Sequence, residues 1–394
     1  MMTNGRAAGV AVLVAWVGLG LGTVGPATGA ERAPDVARAI EQAPEATRDA
    51  VARALDAAGG NAANLAGAIL EAPDADRRAA VAFLVAHMPP GDRATLGKGY
   101  LLANVDYAFK ARNATEWAKA VPLELFYNDV LPYSSVNEHR DDWRRDFYDR
   151  FIAVAKAAPN AAEAAKRLNV AAFEAFGVKY HATKRPKPDQ SPYESAKAGY
   201  ASCTGLSIIL IDACRAVGIP ARIVGTPEWT TQRGNHNWVE VWDREWSFVG
   251  ACEPSKLNEG WFVEQASKAD EANPRHRIYA ASFGAGAEHF PLVWQPGNAD
   301  YPAEDVTRRY TKRRKVTFKL PGDATSADAP AREITVRHDG RIVAHGPINP
   351  DATFELPGDS SYEVQLVVAC KPAASTRTVK LSLDPDQVIP LPLP

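Results

Sequence analysis

The sequence predicts an α+β protein with an α-helical N-terminal cap, a mixed core and a C-terminal all-β sandwich. Three observations carry this. Residues 31–98 are alanine-rich, with apolar residues at helical spacing. Between 203 and 249 one apolar helix is followed by three short β-prone runs that short connections can only pair antiparallel. After about residue 305 the helical period disappears and alternating or β-branched runs replace it. The 394 residues suit two or three domains, and a net charge of −2 argues against a general nucleic-acid binder. Four cysteines with no C-x-x-C pair exclude a disulfide scaffold and a zinc ribbon.

Residues 1–30 read as a signal peptide. Arg6 precedes the apolar run Gly9–Leu21, and Ala27-Thr28-Gly29-Ala30 offers a cleavage site before charged Glu31. An uncleaved anchor is the alternative, but the run is short for a span. No later stretch could cross a bilayer, so the mature chain is expected in the periplasm or outside the cell. Residues 31–98 form a helical cap with a two-copy repeat. Ala39-Ile40, Ala43-Pro44, Ala46, Arg48 and Ala50 recur at a constant offset as Ala68-Ile69, Ala72-Pro73, Ala75, Arg77 and Ala79. Each copy reads as helix, Pro-marked break, helix. A cap packed on the next domain, or an array that binds a partner, would both use it.

Residues 99–300 are taken as the core domain. Phe126–Tyr133 reads as a buried segment broken at Pro132, and 141–150 and 160–176 as amphipathic helices. Lys184–Pro192 is a proline-punctuated loop. Leu206, Ile209, Leu210, Ala213 and Val217 mark a helix that Ser202 can cap and that Gly218 and Pro220 end. Ala221–Gly225, Asn237–Trp242 and Trp246–Val249 are the strands. Residues 305–394 predict a sandwich of six or seven strands, with a two-residue hairpin at Asp339-Gly340. The basic run Arg308–Lys315 reads as a charged linker or solvated strand edge, with a polyanion contact as the alternative.

One constellation carries chemistry. Cys203 lies in the first turn of the apolar helix, where unpaired N–H groups favour thiolate. His236 opens the second strand and could exchange protons with it. Glu253 follows the third and could hold the imidazole's far nitrogen. Cys214, inside the helix, reads as a small buried hydrophobe. Trp238 and Trp242 share the His236 face by period two, and Trp229 lies in a loop.

These residues resemble the transglutaminase-like superfamily, which has a papain-like fold. The counterparts are Cys203, the run Cys214-Arg-Ala-Val-Gly-Ile-Pro-Ala-Arg222, the run His236-Asn-Trp-Val-Glu-Val241, and Trp246. The match is strong over roughly residues 190–265. The stretch Trp246–Trp261 also resembles the peptide N-glycanase branch. The resemblance implies an exported, cysteine-dependent acyl-transferase or amide hydrolase acting on a protein or peptide, glycoproteins among them. It implies a thioester on Cys203 that an amine or water resolves. Gln190 is the candidate second oxyanion donor, beside the Cys203 N–H, and Trp229 and Trp238 are candidate cleft walls. The family's aspartate position is filled here by Gly250. Glu253 either replaces it, if the chain turns after Val249, or the site is a dyad oriented by a carbonyl or by Asn235. An inactive binding or scaffolding module of the cell envelope is the other reading. No metal-ligand spacing, Asp-x-Asp-x-Asp-Gly loop, phosphate loop or nucleotide fingerprint occurs, so no cofactor is expected.

Overall fold

The computed structural model describes residues 32–320, 332–357, 361–368, 375–380 and 387–391, so the expected signal peptide lies outside the described residues. Six helices come first: α1 (Pro34–Gln42), α2 (Glu45–Ala57), α3 (Ala62–Leu70), α4 (Ala75–His87), α5 (Pro90–Thr95) and α6 (Lys98–Arg112). The sequence repeat is two helix pairs, with α1 packed on α3 and α2 on α4. Its equivalent residues Ala39, Ile40 and Ala43, and Ala68, Ile69 and Ala72, are the buried ones. Pro44 occupies the cap position of α2, and the Asp74 side chain caps α4 by accepting from the Arg77 N–H. The same apolar core continues past α6 to Tyr133 and takes in Trp242, Trp246 and Ile342.

Two short helices follow, α7 (Glu116–Lys119) and α8 (Leu123–Leu125), then a π-helical turn at Phe126–Val130. Carbonyls at the end of such a turn need partners. Buried Arg144, the first residue of α9 (Arg144–Lys156), supplies them by donating to the Val130, Leu131 and Pro132 oxygens. Next come α10 (Ala161–Phe176), capped by Asn160 and closed by Gly177 at φ 64°, β1 (Lys179–Tyr180), and α11 (Pro192–Ala198). The two-residue strand β2 (Tyr200–Ala201) pairs in parallel with β1 and leads into α12 (Cys203–Ala216).

Helix α12 is the central element, and its residues Thr204–Ala216 are all buried. It packs against α6, α9 and α10 and against the sheet strands β3 (Ala221–Thr226) and β4 (His236–Asp243). Ser202 caps it as expected, and Gly218 ends it at φ 91°, where a Cβ would lie 3.0 Å from the Ala111 carbonyl. Strands β3, β4 and β5 (Glu245–Val249) are antiparallel neighbours. A short helix α13 (Val263–Ala266) precedes β6 (Tyr279–Ala281), β7 (Glu288–His289) and β8 (Pro302–Asp305), which extend the sheet beyond β3, and α14 (Thr307–Thr311) closes this part.

Seven strands follow among the described residues: β9 (Arg313–Lys319), β10 (Arg332–His338), β11 (Arg341–Pro347), β12 (Asp351–Pro357), β13 (Ser361–Val368), β14 (Ser375–Lys380) and β15 (Gln387–Pro390). They form a sandwich, β11-β10-β13-β14 against β12-β9-β15, around its own apolar core. Asp339 and Gly340 turn the β10–β11 hairpin with φ of 48° and 78°, as the Asp-Gly pair requires. Strand β11 also bonds to β5, pairing Ala344 with Glu245, so this sheet continues the core sheet. The basic run between the two parts is not a solvated linker. Arg309 and Tyr310 on α14 are turned inward against Glu240, and Arg313 pairs with Glu355.

Candidate active site

Cys203 is the first helical residue of α12 and is partly exposed. The backbone N–H groups of Asn237 and Thr204 point at its sulfur, and the Asn237 side chain donates to Thr204 Oγ1 at 2.7 Å. The nucleophile candidate is thus held against the start of β4, one residue from His236. Burial pushes the thiol up, opposed by those two N–H groups, the Thr204 side chain and the Arg185 charge. The sequence led to the opposite expectation, a thiolate favoured by the helix end. Desolvation outweighs it, and the resting group is a thiol. Cys214 is fully buried in the same helix, as expected.

Strand alternation splits β4 into two faces. Asn237, Val239 and Val241 face α12, and the valines join the core around that helix. His236, Trp238 and Glu240 occupy the other. The His236 ring is walled by Trp229, Trp238, Trp261 and Phe262, with ring centroids 6.1, 5.8, 4.7 and 5.2 Å away. It is 8% exposed, and burial lowers its pKa to about 4, so the imidazole is neutral. Its Nε2 is buried with no hydrogen-bond partner, and no hydrogen bond joins the ring to Cys203 among the described residues.

The acid is placed by a turn. Strand β5 ends at Val249, the Glu253 N–H donates to the Gly250 carbonyl, and Cys252 takes φ 64°. The Glu253 side chain folds back over Gly250. A Cβ on residue 250 would lie 2.3 Å from Glu253 Oε2. The carboxylate therefore occupies the space into which an aspartate at 250 would project. It accepts from Trp261 Nε1 at 3.0 Å and not from His236, and Trp261 in turn packs on the imidazole. Burial raises the Glu253 pKa and the indole bond lowers it. The side chain neither points to solvent nor completes a triad directly. Nor, among the described residues, does Asn235 or a backbone carbonyl bond to the His236 ring.

A cavity of about 270 Å³ opens at Cys203, lined by Tyr180, Arg185, Pro188, Asn235, Val293 and Trp294 among others. Two sequence expectations are corrected here. Gln190 is wholly buried, and its Nε2 is engaged with the Tyr200 and Glu194 carbonyls at 3.1 and 3.4 Å, so that nitrogen is not free to hold an oxyanion. Trp238 and Trp229 are buried, 0% and 5% exposed, and stack on each other behind His236, so neither walls the cavity. The aromatic residues at the cavity are Tyr180 and Trp294, and the one exposed beside His236 is Trp261. Trp294 and Trp261 lie outside the strand pattern, and Trp294 carries no motif signal.

The remaining motif residues hold the fold. Arg222 pairs with Glu240 at 2.8 Å in the interior and lies 4.0 Å over the Trp246 ring. Tyr310 donates to Glu240 and accepts from Trp238 Nε1. Among the described residues no cluster of three or more His, Cys, Asp or Glu side chains could hold a metal, and no helix is long and apolar enough to cross a membrane.

Residues 151–262 match the family model of the transglutaminase-like superfamily. The chain carries a transglutaminase-like domain, and the matched span runs from α9 through Cys203, His236 and Glu253 to Phe262. No curated protein matches the chain.

Proposed function

We propose that the protein is an exported cysteine acyl-transferase or amide hydrolase acting on protein or peptide substrates. Cys203 is its nucleophile and His236 its proton carrier. The observation that carries this reading is the seat of Cys203. It stands at the open end of the central helix, inside a cavity, with its sulfur against the backbone of the strand that begins with His236.

The resting pair is a neutral thiol and a neutral imidazole, which suits general-base attack. As the Cys203 sulfur bonds to the substrate carbonyl carbon, its proton passes to the imidazole. The imidazolium then returns that proton to the leaving amine as the C–N bond breaks, leaving a thioester. Water or an amine attacks the thioester, the imidazole takes its proton, and the thiol is restored. Apo geometry is often looser than the reacting geometry, so substrate entry is the step that closes the two side chains together. Glu253, through Trp261, positions the ring. The Cys203 N–H supplies one oxyanion donor.

The test uses p-nitrophenyl acetate with the full mature chain. A burst of nitrophenol equal to the enzyme concentration, lost in Cys203→Ala and slowed in His236→Gln, supports the proposal. Adding a primary amine then separates transfer from hydrolysis. The second reading, a binding module that kept the cavity, draws on the unpartnered His236 Nε2 and the Glu253–Trp261 bond. It expects no burst.

A further inference from the structure

We propose that Arg185 is an anion-recognition residue of the Cys203 cavity and that the acyl substrate carries a carboxylate beside its scissile carbonyl. This rests on Cys203 being the nucleophile. Among the described residues Arg185 is the one formally charged residue lining the cavity, and no acidic side chain lines it. The guanidinium is half-buried, its Nε is shut away from water without a hydrogen-bond partner, and it forms no ion pair among the described residues. The other cations of its loop are engaged elsewhere. Lys184 lies 5.4 Å over the Tyr200 ring, and Lys187 pairs with Glu194 at 2.9 Å.

A half-buried cation without a counter-ion is costly to hold and gains most from an anion brought to it. The planar fork of an arginine matches a carboxylate with two parallel hydrogen bonds. The other lining residues, Tyr180, Ser202, Thr204, Asn235, Val293 and Trp294 among them, are uncharged, so the only formal charge at the cavity among the described residues is positive and favours anions near the sulfur. The substrate class is therefore an acidic peptide or amide whose carboxylate sits next to the bond that Cys203 attacks. A role limited to steadying the thiolate would assist neutral and anionic reagents equally, which gives the experiment its contrast.

Alkylation of Cys203 in the full mature chain is followed by peptide mass spectrometry, with iodoacetate and iodoacetamide as paired probes. In both, the sulfur forms a C–S bond, iodide leaves and the thiol proton goes to buffer. Each rate is divided by that for 2-mercaptoethanol. The normalised preference for iodoacetate is expected to be about tenfold in the wild type. It should fall to about one in Arg185→Gln and persist in part in Arg185→Lys. A wild-type preference near one overturns the proposal and leaves the nucleophile standing. Equal slowing of both reagents in Arg185→Gln also overturns it, by assigning Arg185 to the thiolate alone. A folded wild type whose Cys203 resists both probes overturns the subsite and the nucleophile together.

Discussion

Two positions on one face of strand β4, His236 at its start and Glu240 in its middle, have opposite surroundings. In mid-strand Glu240 is wholly interior and surrounded by partners: Arg222, Arg309 and the Tyr310 hydroxyl. At the strand's start His236 is almost as buried, yet its Nε2 has none. Both residues lie on the same face of the same strand, four residues apart, in one motif. A buried polar atom without a partner costs on the order of 1–3 kcal/mol. Glu240 ties the strand to its neighbours, and the His236 nitrogen is left unpartnered.

Substitutions can break this contrast in a definite order. His236→Gln should lower turnover of an acyl substrate by about 10²–10⁴-fold and cost no more than about 1–2 kcal/mol of stability. Glu240→Ala should do the reverse. It leaves Arg222 buried without its main counter-ion and should cost about 3–5 kcal/mol in denaturant unfolding. Iodoacetamide labelling of Cys203 in the folded fraction should barely change. If both variants fail in the same assay, the two positions are not separate devices.

Acid sharpens the comparison. The folded His236 pKa of about 4 lies below the unfolded value of 6.5. Above pH 6.5 both states hold the ring neutral and no difference arises. As pH falls from 6.5 to 4 the unfolded chain binds a proton that the native ring refuses, and stability drops by up to about 3 kcal/mol. Urea titrations of wild type and His236→Gln should run parallel above pH 6.5 and converge or cross below it. Parallel curves down to pH 4 would place the ring in water.

The smallest effect belongs to the acid. Glu253→Ala should slow turnover about tenfold by loosening Trp261 against the imidazole, since an orienting group acts on the rate through another residue. Gly250→Asp added to Glu253→Ala returns a carboxylate to the same space and should recover part of that loss. A double variant slower than Glu253→Ala would show that this space is not where the acid works.

Local signals made much of this legible. Ser202 and Gly218 bounded α12, Asp339-Gly340 fixed a hairpin, and the order of Cys203, His236 and the Arg222 and Glu240 runs carried the resemblance. The turn after Val249 followed from Gly250 and Pro254. What the sequence hid depended on distant partners. Arg309 and Tyr310 read as part of a solvated basic run because Glu240, which they reach, lies some 70 residues earlier. The sequence puts Trp238 and Gln190 near the site, but only packing decides that one is buried behind His236 and the other spends its amide N–H groups on carbonyls. Arg185 and Trp294 sit in loops without a period, where no pattern reports a shared cavity. The thiol's direction of titration is hidden for the same reason. A helix start is visible in sequence, and the depth of burial around it is not.

The central claim is that Cys203 carries the acyl group, and peptide mass spectrometry after brief reaction with p-nitrophenyl acetate and acid quenching tests it directly. The account predicts one acetyl group, +42 Da by the general mass of acetylation (about 42 Da), on the peptide containing Cys203, absent from the same peptide in Cys203→Ala. It also predicts a slower build-up in His236→Gln. An acetyl group found on Cys252 instead, or none on any cysteine of the folded chain, would contradict it.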